Sequence, residues 1–256
     1  MNRLVPASVA AVFLVALIGS AWVLHRVELS DRASADWGAD LSVRLRGTVI
    51  AAYAGDRREW QMHVESAELR QDPAGPLHRF RSANLEGIRD GALYDARGRQ
   101  ATFRASRAEA DGATNAVRIM GAVAVATPEG DRIDAEEAEW DPADTFVRFP
   151  RGARAVVQGR TVEAPLVLFS PRYRLIQCPI GAELVDGARR IHAGALFWNV
   201  RTGEVECPAG VSVTGPDVGF TARSARINLR ERVVRANGVT GWLRMGNGRN
   251  GSEAAR

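Results

Sequence analysis

The chain has 256 residues, 46% of them hydrophobic, with 34 basic residues against 30 acidic ones and a net charge of +4. This is the composition of a folded protein of one or two domains, and it excludes wholesale disorder. Every basic residue is an arginine, and the arginines are interleaved with the acids, so the charge is too small and too evenly spread to argue nucleic-acid binding.

Residues 4–24 are 21 uncharged positions flanked by Arg3 and by His25-Arg26. At a helical rise of about 1.5 Å per residue, such a stretch crosses a hydrocarbon core of about 30 Å. Gly19-Ser20-Ala21 offers a small-residue site for cleavage of a signal peptide. Against cleavage, apolar character continues through Trp22, Val23 and Leu24, and a tryptophan suits a membrane–water boundary. A retained single-pass anchor over residues 1–26 is the expectation, with a cleaved signal as the alternative. Either one exports the remainder of the chain, into an oxidising compartment if the cell is Gram-negative.

Residues 27–40 are polar and aperiodic and read as a tether. From residue 41 the pattern is that of strands. Leu41-Ser42-Val43-Arg44-Leu45 and Trp60-Gln61-Met62-His63-Val64 alternate with period two, and Ala54-Gly55-Asp56-Arg57 between them reads as a hairpin turn. Met62 to Leu69 fits the start of a repeated unit. A longer Gly- and Pro-containing excursion from Gln71 to Arg99 is expected before the regular copies begin.

Five regular copies come next. They open at Phe103-Arg104-Ala105, Ile133-Asp134-Ala135, Val162-Glu163-Ala164, Ile191-His192-Ala193 and Phe220-Thr221-Ala222, spaced 30, 29, 29 and 29 residues apart. Each continues with an apolar residue three places on (Ala108, Ala138, Val167, Leu196, Ala225) and then a turn-forming polar residue (Asp111, Asp141, Ser170, Asn199, Asn228). A second strand runs into a glycine: Gly121, Gly152, Gly181, Gly210 or Gly238. A fixed period of this size means one structural unit stacked on copies of itself.

Within a unit, apolar positions at 0, 2, 5 and 7 switch parity once, which predicts a β-bulge that turns the strand to its other face. The glycine is expected to supply a positive φ or a corner between sheets. After it, the first and third residues are apolar or glycine in every copy, so those positions are predicted to face inward. The predicted inward face is rich in alanine and valine. It is either two narrow faces in close contact or a slot left partly open for acyl chains. The tail, residues 246–256, reads as disordered.

Cys178 and Cys207 fall at the same repeat position, 16 residues after Val162 and Ile191. In an oxidising compartment a disulfide between stacked units is the favoured expectation over two buried thiols. The acidic run Asp131, Asp134, Glu136, Glu137, Glu139, Asp141 and Asp144 is expected to lie on a solvated outer face. His25, His63, His78 and His192 are scattered, with no zinc-ligand spacing, no nucleophile elbow and no phosphate loop. No catalytic residue, metal or cofactor is predicted, and the chain is read as a non-enzyme.

An N-terminal anchor followed by units of the form apolar-x-Ala-x-x-apolar, then a turn residue, a short strand, Gly and an alternating apolar strand resembles the lipopolysaccharide-transport β-jellyroll family, the OstA-like proteins. The local match is closest over Val123-Ala124-Val125-Ala126-Thr127-Pro128-Glu129-Gly130 and Asp131-Arg132-Ile133-Asp134-Ala135. The resemblance covers about residues 41–245. It implies an all-β fold, a twisted open β-jellyroll of two facing antiparallel sheets behind one transmembrane helix.

The anchor favours the LptC-like branch. That branch implies a single-pass inner-membrane protein with its bulk in the periplasm, taking lipopolysaccharide from an ABC transporter (LptB/LptF/LptG-like) and passing it to an LptA-like partner. Alternatives are a soluble LptA-like bridge and a ligand-free structural β-solenoid. The lipid-binding residues expected on this reading are the inward repeat positions: Phe103, Ala105, Ala108, Ile133, Ala135, Ala138, Val162, Ala164, Val167, Ile191, Ala193, Leu196, Phe220, Ala222 and Ala225.

Overall fold

The computed structural model describes residues 42–71, 80–95 and 98–243. The expected anchor, the tether and the tail lie outside these residues. The described residues are all strand, turn and loop, and no helix among them is long and apolar enough to cross a membrane.

Six long strands come first: β1 (Ser42–Ala54), β2 (Arg57–Gln71), β3 (Phe80–Asp95), β4 (Gly98–Asp111), β5 (Val117–Ala126) and β6 (Arg132–Trp140). Each pairs antiparallel with the next. The register slips between His63 and Ser66, Ile88 and Gly91, Arg104 and Arg107, and Met120 and Val123. These bulges stand where the sequence switches parity, and they let one sheet fold over on itself.

One expectation fails here. The segment read as an excursion contains β3, because Ala83, Leu85, Ile88 and Leu93 are buried around its bulge. Its glycines are structural: Gly91 leaves the space that the Phe103 ring fills, 2.3 Å from where a Cβ would stand.

Beyond β6 the sheet forks. One branch, sheet I, runs β7 (Val147–Phe149), β10 (Val167–Ser170), β11 (Leu175–Cys178), β14 (Leu196–Asn199), β15 (Glu204–Cys207), β18 (Ser224–Asn228) and β19 (Val233–Asn237). The other, sheet II, runs β8 (Ala153–Val157), β9 (Arg160–Ala164), β12 (Ala182–Asp186), β13 (Arg189–Ala193), β16 (Val211–Thr214), β17 (Val218–Ala222) and β20 (Thr240–Leu243). All pairings are antiparallel, as in two facing sheets grown from one bent sheet.

In these later units the predicted bulge opens into a corner. The chain leaves β9 through Pro165-Leu166 to enter β10, and leaves β13 through Gly194-Ala195 to enter β14. It returns to sheet II through the repeat glycines Gly152 (φ +85°), Gly181 (+111°), Gly210 (+68°) and Gly238 (+65°), and Gly121, inside β5, shares their positive φ at +76°. A side chain in that region is disfavoured by about 1–2 kcal/mol, which accounts for the glycine at this position.

Candidate functional site

The space between the sheets is one continuous apolar core. All fifteen predicted lipid-facing positions belong to it, six on the long strands β4 and β6 and nine on the two later sheets. Ala135 and Phe220 are half-buried against it, and the rest are buried.

The face that follows each glycine is inward as predicted in three units: Ala155, Leu184, Val211 and Val213 are buried. It is out by one in the first unit. Gly121 and Ala122 both take positive φ, so the chain advances one residue and Val123 and Val125 point inward instead. In the last unit Val239 is 54% exposed, because no described residue stacks on that end.

The two inner faces differ in bulk. Sheet II contributes small groups, among them Ala155, Val162, Ala164, Ala193 and Val213, as the repeat motif indicated. Sheet I supplies Phe149, Phe169 and Trp198, each no more than 1% exposed. Phe169 and Trp198 stand at the motif's last apolar position, seven residues after Val162 and Ile191, and Phe149 in the short second strand; the pattern marks these positions as apolar but not their size. The slot is therefore filled by its own side chains in this conformation. Trp198 is buried with its indole N–H unpaired.

The two long sides of the slot are closed by different chemistry. On the corner side, backbone groups of successive units bond to one another: Gly194 N–H to the Ala209 and Gly210 carbonyls, Gly210 N–H to Arg223 and Arg223 N–H to Asn237, all at 2.8–3.1 Å. Gly194 is required here, since a Cβ would stand 2.2 Å from the Ala209 carbonyl oxygen.

On the opposite side the hairpin turns of the two sheets face each other across a mouth, and side chains bridge it. Asn115, in the β4–β5 turn, donates its amide to Glu59 and accepts from the Trp60 indole through its carbonyl. Arg174, in the β10–β11 turn, pairs with Asp131. Gln158 donates to the Val200 carbonyl at 3.2 Å, and Arg160 to the Leu229 carbonyl at 3.4 Å. Arg160 also holds Asp186 at 2.9 Å. Between the first two bridges is a recess of about 260 Å³ lined by Leu93, Tyr94, Trp140, Pro142 and Arg172.

The sheet I turns at this mouth are built by the predicted polar residues. The side-chain oxygens of Asp111, Asp141, Asn199 and Asn228 accept from backbone N–H groups two or three residues on, and Ser170 accepts from Tyr173. These are Asx and Ser turns, which short polar side chains form locally.

The acidic run is only partly solvated. Asp131 is 3% exposed in its ion pair with Arg174. Glu137 is 3% exposed between Arg118 at 2.6 Å and Arg151 at 2.9 Å. The Arg118 hydrogen bond holds the Glu137 carboxyl below the usual carboxylate range. Sequence parity marked the rim residues. Asp131, Arg160, Arg174 and Asp186 each lie two positions from an inward residue (Ile133, Val162, Ile176, Leu184) and so continue the inward rows into charge.

The expected disulfide is absent: both cysteines are free. Cys178 pairs in register with Leu196 of β14, and β15, which carries Cys207, lies on the far side of β14. Two strand spacings are about 9.5 Å, beyond the reach of a disulfide. Equivalent repeat positions are two strands apart in this stack, which the repeat alone did not reveal. Burial pushes the Cys178 thiol up to about 12 and the Cys207 thiol up to about 11. Among the described residues, no group of three His, Cys, Asp or Glu side chains is placed to hold a metal.

No protein-family model matches the chain, and no curated relative matches it. Among solved structures it is similar to the crystal structure of LptH, the LptA-homologous periplasmic component of the conserved lipopolysaccharide transport device from Pseudomonas aeruginosa. The identity is 11% and the TM-score 0.26, over 57% of this chain and 95% of that one.

Proposed function

We propose that the protein is a non-enzymatic lipid carrier whose two sheets part along the bridged mouth to admit acyl chains. The observation that carries this reading is the asymmetry of the slot. One long side is sealed by backbone hydrogen bonds, the other is held by a few side-chain bridges, and the interior between them is continuously apolar. Acyl chains entering it gain about 0.8 kcal/mol per buried CH₂. The small side chains of sheet II offer a smooth wall along which such chains can slide.

The lipid and the setting come from the repeat resemblance. On that reading the cargo is lipopolysaccharide, and residues 4–24 hold the chain in the inner membrane. An ABC transporter of the LptB/LptF/LptG kind loads the slot, and an LptA-like periplasmic protein receives from it. The unstacked end supports a handover by strand addition. Among the described residues β19 and β20 each have one unpaired edge, and Val233, Val234, Val239 and Trp242 are 44–56% exposed there.

The filled interior favours a second reading, a ligand-free structural stack. Purifying the full chain from membranes in mild detergent and analysing co-purified lipid by mass spectrometry separates the two. A carrier brings down lipopolysaccharide above the level of a control membrane protein. A structural stack does not.

A further inference from the structure

The turns of sheet I carry arginine at one repeat position, Arg172, Arg201 and Arg230, each 29 residues from the next, and Arg232 lies close by. Successive turns of this sheet are two strands apart, so these positions recur about every 9.5 Å along the mouth. The backbone ties the turns together, Val200 N–H to the Arg174 carbonyl and Leu229 N–H to the Gly203 carbonyl, each at 2.9 Å. Arg230 is seated: its chain crosses Gly203, where a Cβ would meet its Cγ at 2.8 Å, and its guanidinium donates to the Val200 carbonyl at 3.5 Å.

Arg201 and Arg232 are exposed and form no ion pair with any described residue. The acids in the turns around this lip are Asp141, Asp144 and Glu231 on sheet I and Glu129, Asp131, Asp186 and Asp217 on sheet II. Asp131 and Asp186 are engaged by Arg174 and Arg160. One row in from the lip, behind the buried Val200 and Leu229 of the turns, Trp198 stands in the inward row Ile176, Trp198, Val205 and Ile227, and its indole N–H has no acceptor among the described residues. An unsatisfied donor buried in an apolar slot is a feature that a ligand acceptor would complete.

We propose that this lip is the headgroup site of the carried amphiphile. Arg201, Arg230 and Arg232 take phosphate groups of the headgroup, and Trp198 donates to the acyl carbonyl that joins head to chain. Guanidinium matches phosphate through paired, charge-assisted hydrogen bonds, and a row with a fixed pitch suits a headgroup bearing more than one phosphate. The inference rests on the carrier reading and adds where on this chain the head is held.

The test titrates the full chain in detergent with lipid A bearing both phosphates, with dephosphorylated lipid A, and with pyrophosphate. The parent chain is expected to bind the phosphorylated lipid at least about 10-fold more tightly than the dephosphorylated one. The variant Arg201→Gln/Arg230→Gln/Arg232→Gln is expected to lose that preference while remaining folded, as its melting curve shows. Trp198→Phe is expected to weaken both lipids by about 3- to 10-fold alongside the stability loss of a smaller buried ring, whereas a purely structural tryptophan would lower stability and leave the lipid affinity of the folded chain in place. If Trp198→Phe does not fold, a lipid-induced shift of the Trp198 indole proton resonance in the parent chain replaces it, and no shift would count against the proposal. Equal binding of both lipids, or a preference that survives the triple variant, overturns the headgroup site and leaves the carrier reading standing. Tight pyrophosphate binding without lipid preference also overturns it, in favour of a free-anion site. Binding of neither lipid removes the carrier reading as well.

Discussion

Asp131→Asn tests whether the mouth is held by its bridges. The substitution keeps the size and the backbone of the turn, where the Asp131 N–H bonds the Thr127 hydroxyl at 3.2 Å and the Asp131 carbonyl accepts from the Thr127 N–H at 3.0 Å. It removes the charge that faces Arg174. Removing one partner of a fully buried ion pair costs about 3–5 kcal/mol. The Asp131 side chain is 3% exposed and that of Arg174 22%, so the orphaned guanidinium recovers part of its hydration. The expected loss is therefore about 2–3 kcal/mol. Arg174 also holds φ at +54°, where a non-glycine residue is disfavoured, so its ion pair offsets a local conformational cost. With a urea m-value near the top of the range for small proteins, this lowers the unfolding midpoint by about 1 M. Urea titration followed by tryptophan fluorescence reads it. The double variant Asp131→Asn/Arg174→Gln should recover much of the loss, because neither charge is then left alone. A single-variant midpoint within about 0.2 M of the parent would refute the bridge as a structural tie.

Three further outcomes rest on the same geometry. Glu137 has a lowered pKa, so its contribution to stability is present above the ordinary glutamate value of 4.5 and is lost as pH falls through the lower folded value. Melting curves of Glu137→Gln and parent should thus differ most near neutrality and converge below pH 4.5; a constant gap down to strongly acid pH would contradict the assignment. Gly152→Ala should lower the melting temperature more than Gly210→Ala. Both force alanine into left-handed φ, at about 1–2 kcal/mol, but only at Gly152 does the new Cβ meet a backbone oxygen, that of Ala164 at 3.0 Å. The reverse order would be inconsistent with the corner geometry. Cys178 and Cys207 should resist a thiol reagent in the native chain, because buried thiols raised to about 12 and 11 stay protonated at neutral pH. Both should react under denaturation without reductant, and a denatured count of zero would restore the disulfide.

Much of the architecture was legible because the repeat encodes it twice, in a parity switch and in a glycine. The switch at Ala105–Ala108 predicts a bulge, and the structure has one between Arg104 and Arg107. The same switch at Ala164–Val167 and Ala193–Leu196 becomes a full corner, since Pro165 and Gly194 fall inside it and interrupt pairing. Periodicity could not show how many strands separate equivalent positions, and the cysteine expectation failed for that reason. Nor could it weigh the two inner faces, because the last apolar position of the motif varies in size from unit to unit (Ala110, Trp140, Phe169, Trp198, Ile227). The mouth was hidden for a different reason. Asp131 and Arg174 are 43 residues apart and meet only once the sheets face each other, although their inward parity could be read from the sequence.

The central claim is that acyl chains travel between the sheets, and site-specific photo-crosslinking in cells tests it most directly. A photoreactive residue at Ala135, Ala164 or Leu196 points into the slot, whereas one at Arg154 or Arg226 points outward. Lipopolysaccharide adducts are predicted at the first three positions and none at the last two. Equal labelling at both sets, or labelling only at the outward positions, would contradict it.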